Sequence, residues 1–440
     1  MSSESVSVVF KCTECGEVYY QPVVTCSSCG GLVLASYPGK PDPTRVDYSM
    51  PGIWFFKYSL PPLPRIISLG EGRTPLVKST RLAKDRVVYF KDEGRNPTGS
   101  LRDRAASVVV SHAASLGLSK IVAASDGNMG VSLAAYAARA GIKAVVYAPS
   151  WIDGEKVLLM KAYGAQLVLE DKSIDALVKQ ALDLSRRKEY YNASSTLNPL
   201  SIEGLKTIAF EVAGELGGST KAIYVPLGSG VTYLALYVGF KELVESGVIS
   251  SIPKLVGVEH CGNPKYAEHL HGASKCREEA LPGLRYYTPP LFNHVARVIE
   301  RYGDVVVVSS REALRASKLL ATREGLFTEV SSAVAVAGYL KHEEDHAVVV
   351  LFGHGIKSAS AYAKPLRRRF TTPYIGVTKK LILEVVRSKP GLTGYEIWKE
   401  LGLNITPQSV YQHLRELVEL GLLRVAEEGG VKKYYLASQY

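Results

Sequence analysis

Cysteine is scarce, six in 440 residues, so no disulfide framework of the kind that staples small secreted domains holds this chain together. Long apolar runs are missing too: none approaches the length of a membrane span. The start, Met1-Ser2-Ser3-Glu4-Ser5, lacks the basic and apolar regions of a signal peptide. These absences give the expectation of a cytoplasmic protein. The 22% of charged and 46% of hydrophobic residues exclude a disordered chain. The length suffices for about two to four domains with a large core. A net charge of +11 points to a polyanionic partner.

Four of the six cysteines form one cluster, Cys12-Thr13-Glu14-Cys15 and Cys26-Ser27-Ser28-Cys29. Gly16 and Gly30 follow the pairs, where a knuckle needs a tight turn. Two such knuckles fit a tetrahedral zinc of structural type, because four thiolates leave no open position for a reacting molecule. Cys12, Cys15, Cys26 and Cys29 are the expected metal ligands, and Cys261 and Cys276 are expected to be ordinary thiols. Proline and aromatic residues crowd residues 36–65, which predicts an extended connection without a helix.

From there strand and helix patterns alternate. Apolar runs near 87–90, 121–124, 144–148, 166–169, 223–227, 255–259 and 305–308 read as strands, with helical segments between them. This predicts an α/β body with a parallel sheet and helices on its faces. Glycines stand at the strand ends, in Ser125-Asp126-Gly127-Asn128-Met129-Gly130 and in Gly228-Ser229-Gly230-Val231-Thr232. Backbone N–H groups at such a turn and helix start can hold an anion.

The stretch around which the body is organised is Lys91-Asp92-Glu93-Gly94-Arg95-Asn96-Pro97-Thr98-Gly99-Ser100-Leu101-Arg102-Asp103-Arg104. It resembles the signature of the threonine synthase-like, fold-type II enzymes that use pyridoxal phosphate. In that family the loop reads Asn-Pro-Thr-Gly-Ser, an aromatic residue and Lys-Asp-Arg, and the lysine forms the Schiff base. Leu69 to Leu76, Ala134 to Gly141, Glu203 to Glu211, Gly325 to Ala333 and Gly353-His354-Gly355-Ile356-Lys357 are similar to further family motifs. The resemblance implies a two-lobed body of the tryptophan synthase β-like type. It implies pocket roles for Ser100, Arg102, Asn128, Phe352 and the phosphate loop Gly228, Ser229, Gly230, Val231 and Thr232. Lys206, beside the catalytic lysine in the family pattern, is expected to have a structural or surface role.

Two positions depart from that pattern. Arg102 stands where the family has its lysine, and Phe352 where it has a threonine that meets the pyridine nitrogen. A Schiff base needs a neutral amine, which a buried lysine can supply. A guanidinium keeps its proton and its lone pairs are delocalised, but it can fork onto a carboxylate or phosphate. Pyridoxal phosphate is therefore expected to be absent or held noncovalently, on an enzyme scaffold without the enzyme's reaction and with no catalytic residue.

The last sixth of the chain carries more than half of its net charge: residues 364–440 hold 13 Lys+Arg against 7 Asp+Glu. A basic linker, residues 364–375, precedes three helical patterns and a hairpin signal at Glu427-Glu428-Gly429-Gly430. Thr406-Pro407 is a helix start, with a cap and a proline in the first turn. The order resembles a winged helix-turn-helix. Val410, Leu414 and Leu417 form the buried stripe of its third helix. Gln408, Ser409, Tyr411, Gln412 and Arg415 fall on the other side, and Lys432 and Lys433 on the wing, where they would meet double-stranded DNA.

The expected organisation is a zinc ribbon at 1–35, a two-lobed body at 36–363, the linker, and a winged helix at 376–440. The expected function is a DNA-binding transcription regulator. Its catalytically inactive threonine synthase-like domain would sense a small anionic effector: an amino acid, a phospho-amino acid or pyridoxal phosphate. A homodimer goes with that expectation. The alternative is a threonine synthase-like lyase with residual activity.

Overall fold

A parallel strand must be fed by a crossover, so buried apolar runs separated by helices assemble into a sheet covered by those helices. In the computed structural model, which describes residues 8–83, 85–187, 189–272, 276, 278–362, 377–402 and 405–437, this pattern builds two sheets. The larger has the order Gly303–Val308, Lys254–His260, Ala222–Pro226, Ala347–Leu351, Val88–Asp92 and Leu76–Lys78. Its neighbours run parallel except for the last pair, which is antiparallel. Ala222–Pro226 and Ala347–Leu351 are buried at every position, which is why they read as continuous apolar runs and not as alternation. The smaller sheet, Gln166–Glu170, Lys143–Pro149, Lys120–Ala124 and Tyr191–Asn192, is parallel throughout. These sheets are the two lobes of the expected body.

Two long helices, Arg102–Ser115 and Leu200–Leu216, pack together with almost every residue buried. Their backbones touch. A Cβ placed on Gly204 would lie 2.1 Å from the Arg104 carbonyl oxygen. Beside the crossing, Arg104 is fully buried among Glu93, Glu211, Thr74 and Thr207. Lys206 is fully buried as well, 2.7 Å from Glu203 and 2.8 Å from Glu242. Its role is structural; the surface position is corrected.

The N-terminal strands Val9–Cys12, Val18–Tyr19 and Val33–Ser36 form an antiparallel sheet. It docks on the body through Phe10, whose ring meets His112 edge-on at 6.0 Å, and through Glu14, 2.6 Å from Arg297. The segment expected to be wholly extended contains a 3-10 helix at Gly52–Ser59. No proline interrupts those eight residues, and Trp54 and Phe56 bury their rings there. A disulfide joins Cys261 to Cys276, correcting the expectation of ordinary thiols. Fifteen residues of separation carried no pattern, and only the fold brings the two together.

The chain divides into Met1–Ala359 and Ser360–Tyr440. The second unit holds the helices Val377–Ser388, Gly394–Leu401 and Pro407–Glu419. Its strands lie in the order Leu392–Thr393, Val431–Leu436, Leu423–Glu428, all antiparallel. Val410, Leu414 and Leu417 are fully buried against Ile382, Val386 and Ile397, as their spacing predicts. Thr393 and Glu396 form a capping box, and Thr406 caps the third helix through the Ser409 N–H. The basic linker lies outside the described residues. Among the described residues no helix is long and apolar enough to cross a membrane.

Candidate functional site

The organising loop is tied down at both ends. Asp103 accepts the Thr98 N–H and the Thr98 hydroxyl, each at 2.6 Å. The Leu101 N–H donates to the Phe352 carbonyl at 2.9 Å, and Ser100 bridges Gly353. Both departures from the family pattern, Arg102 and Phe352, therefore stand at one place. The Ser125–Gly130 turn comes in beside them. The Ser125 hydroxyl oxygen accepts the N–H groups of Gly127 and Gly130, and a helix begins at Asn128. Gly127 needs its φ of +156° here, and Lys156 fills the space where a side chain would go.

These elements enclose a cavity of ≈ 50 Å³ walled by Arg102, Asp126, Asn128, Lys156, Glu329 and Phe352, with Gly283, Leu284 and Tyr286 along one side. Lys156 is neutralised. Its Nζ lies 2.8 Å from Asp153 and 2.9 Å from Glu329. Burial pulls the Lys156 pKa down, but Glu329 and Asp153 outweigh it and leave the pKa above the ordinary value. Glu329 also accepts the Asn128 side-chain N–H at 2.6 Å. Burial raises its pKa, yet Lys156 and Lys357 hold it below the usual carboxylate range.

Arg102 is different. Its Nη1 atom is buried without a hydrogen-bond partner among the described residues, and burial lowers its pKa. Asn128 Oδ1 is equally unpartnered. Asp126 accepts the Gly283 N–H at 2.9 Å, and burial raises its pKa.

The structure thus brings Arg102, Asn128 and Phe352 together and leaves Ser100 and the 228–232 loop outside the cavity wall. Ser100 is fully buried with an unpartnered hydroxyl. The loop has Gly230 at φ +82°, a helix start at Val231 and an unpartnered Thr232 hydroxyl. Gly228 is overlaid by the segment that lines the cavity: a Cβ on it would lie 3.1 Å from Leu284 Cα. Sequence reasoning missed Asp126, Lys156 and Glu329 as site residues. Asp126 and Glu329 stand inside motifs singled out for other residues. Lys156, in the helix Gly154–Ala162, had no local signal.

Residues 67–353 match the family described as "Pyridoxal-phosphate dependent enzyme". The chain belongs to that family. It is 31% identical over 384 residues to a threonine synthase of Methanocaldococcus jannaschii, covering 80% of this chain and 93% of that protein. It is 33% identical over 371 residues to one of Methanosarcina acetivorans, covering 79% and 91%. Among solved structures, O-ureido-L-serine synthase superposes with a TM-score of 0.56 at 24% identity, covering 66% of this chain and 91% of that one, which supports the fold.

The threonine synthase relatives overturn the expectation of a DNA-binding transcription regulator with a catalytically inactive sensor domain. That expectation rested on the missing amine at residue 102, on Phe352 and on the basic C-terminal segment, and these weigh less than identity to enzymes over about four fifths of the chain. Of the residues assigned to DNA, Gln408, Tyr411, Gln412, Arg415 and Lys432 are exposed, while Ser409 and Lys433 are half-buried. The Lys433 amine is engaged by Glu428 at 3.0 Å, and Gln412 donates to Glu416 at 3.3 Å.

Pyridoxal phosphate, the family's cofactor, fits this site at one end only. The 228–232 loop suits a phosphate. The aldehyde end does not fit, because a guanidinium stands where the amine is needed and walls the cavity there. The four cysteines do gather. Cys12 and Cys29 sulfurs are 3.5 Å apart, those of Cys15 and Cys26 3.6 Å, and all four lie within 4.8 Å of one another.

Proposed function

We propose that this chain is a threonine synthase-like lyase with residual activity, acting on a small phosphorylated amino acid. The observation that carries the reading is the identity to threonine synthases over about four fifths of the chain. Two features of the body support it. The 228–232 loop offers backbone donors at a helix start to a phosphate, and Arg102 offers a fork to a carboxylate. Pyridoxal phosphate is absent from the resting protein or held without a covalent bond, because residue 102 has no amine to give.

The cysteine cluster is read as a structural zinc site. A tetrahedron of thiolates at ~2.3 Å from zinc has edges of roughly 3.8 Å, close to the sulfur spacings found. The C-terminal helices and sheet are read as an appended winged-helix module.

The test is phosphate release from phosphorylated hydroxy-amino acids by the full chain, with and without added pyridoxal phosphate, beside Arg102→Lys. The native chain should turn over slowly. Arg102→Lys, which returns the amine, should gain about a hundredfold with the cofactor and develop visible absorbance. Absence of phosphate release from both proteins sinks the reading.

A further inference from the structure

We infer that the Cys261–Cys276 disulfide is a redox clasp. Oxidised, it holds residues 278–286 as a strap over the 228–232 loop and the Arg102 cavity; reduced by a dithiol, it releases the strap and opens both. The inference rests on reading that loop and cavity as the reaction site, and it adds how access to them is regulated.

Among the described residues between the helices Lys265–His271 and Phe292–Tyr302 there is neither helix nor strand. The strap has no ladder of its own, so its place is set by side contacts. Three successive residues at the end of the strand Lys254–His260 supply them. Cys261 is bonded to Cys276. Gly262 lets the strap lie against it: a Cβ there would stand 2.5 Å from the Glu278 carbonyl oxygen and from the Ala280 nitrogen. Asn263 donates to the carbonyls of Tyr286 at 2.6 Å and Leu284 at 3.2 Å. From that anchorage the strap crosses to the other lobe. There Asp126 accepts the Gly283 N–H at 2.9 Å, and Arg285 lies over the Trp151 ring at 4.3 Å. On the way Gly283, Leu284 and Tyr286 wall the cavity, and Leu284 covers Gly228.

The position of the bond suits switching better than stapling. The unit Met1–Ala359 has a large apolar core and is big enough to fold without a cross-link. The bond ties a segment without regular structure to the end of a buried strand, so the strap is what it restrains. Its two sulfurs are unequally accessible, with Cys261 5% exposed and Cys276 half-buried. An incoming thiolate therefore attacks the Cys276 sulfur. The S–S bond breaks, a mixed disulfide forms at Cys276, and Cys261 leaves as a thiolate and takes up a proton. The reagent's second thiol gives up its proton, closes on its own first sulfur and frees Cys276 as a thiol. The dithiol is oxidised to its cyclic disulfide by two electrons, and the protein disulfide is reduced by the same two.

The test is hydrogen exchange of the full chain, oxidised and after treatment with a dithiol, beside calorimetric titration of both forms with inorganic phosphate. The Gly283 and Leu284 amides are hydrogen-bonded, to Asp126 and to the Leu281 carbonyl. Reduction should speed their exchange about tenfold or more, leave the strand Lys254–His260 unchanged, and tighten phosphate binding about tenfold. Reoxidation should reverse both effects. The double variant Cys261→Ser, Cys276→Ser should behave as the reduced chain with or without dithiol, which separates this bond from the four N-terminal cysteines. A disulfide that the dithiol leaves intact in the folded chain would overturn the inference. So would exchange that is unchanged at Gly283 and Leu284, or phosphate binding that is equal in the two forms. Phosphate release from a hydroxy-amino acid ester at the same rate in both forms, with the strap unmoved, leaves the lyase reading standing and removes this one. A strap freed by reduction, with tighter phosphate binding and no such release in either form, does the reverse.

Discussion

Arg104 and Arg102 lie two positions apart at the start of one helix, and their guanidinium groups have opposite surroundings. Arg104 donates from Nε to Glu93 at 2.7 Å, and from Nη1 to Glu211 at 2.6 Å and to Thr207 at 3.0 Å. Its Nη2 reaches the second oxygens of Glu93 and Glu211 at 2.8 Å. Burial would lower its pKa, but the two carboxylates raise it above the ordinary value. Arg102 has no carboxylate within hydrogen-bond distance among the described residues, and burial outweighs the more distant Asp126 and lowers its pKa. The difference separates a charge that belongs to the fold from one that the fold leaves open. Arg104 is matched by its own chain, and Arg102 waits for something from outside.

That contrast can be broken in three ways. Arg104→Met leaves Glu93 without its cation and Glu211 with Lys91 alone, so unfolding free energy should fall by about 3–5 kcal/mol in a denaturant titration. A loss below about 1 kcal/mol would mean that the network is not structural.

Lys357 extends the contrast to a second unmatched cation. Its Nζ is buried without a hydrogen-bond partner among the described residues, and burial lowers its pKa to about 8. Below pH 8 the folded and unfolded chains both hold this proton, and the cost of burying the charge is fully present. Between pH 8 and the unfolded value of roughly 10.4 the folded chain releases the proton first, so this group's contribution to stability rises with pH. Lys357→Met should raise stability by about 3 kcal/mol at pH 7 and flatten that rise. A drop in stability at pH 7 would show the ammonium to be paired.

The smallest effect is expected at the site itself. Arg102→Met removes an unsatisfied buried donor, so ligand-free stability should rise by about 1–3 kcal/mol. A fall as large as that of Arg104→Met would erase the distinction between the two arginines.

What the sequence disclosed follows the range of each interaction. The strand and helix alternation of the body, the Val410, Leu414 and Leu417 stripe and the two cysteine knuckles are local patterns, and the structure repeats them. Arg102 and Phe352 stood out because each breaks a local motif. Lys156 paired to Glu329, Asp126 held by Gly283 and Cys261 joined to Cys276 are meetings of distant segments that no spacing announces. The regulator expectation failed for a related reason. It gave two side chains and a basic C-terminal segment more weight than the body, whose likeness to enzymes extends along most of the chain.

The crossing at Gly204 has a consequence for anyone who would re-engineer the site. With no room for even a methyl group between Gly204 and the Arg104 carbonyl, the start of the Arg102 helix cannot slide or rotate to suit a new side chain. Position 102 is a fixed mount. Lysine, cysteine or histidine placed there would spring from the same Cα and point along nearly the same line, so a series of substitutions would compare chemistries at constant geometry.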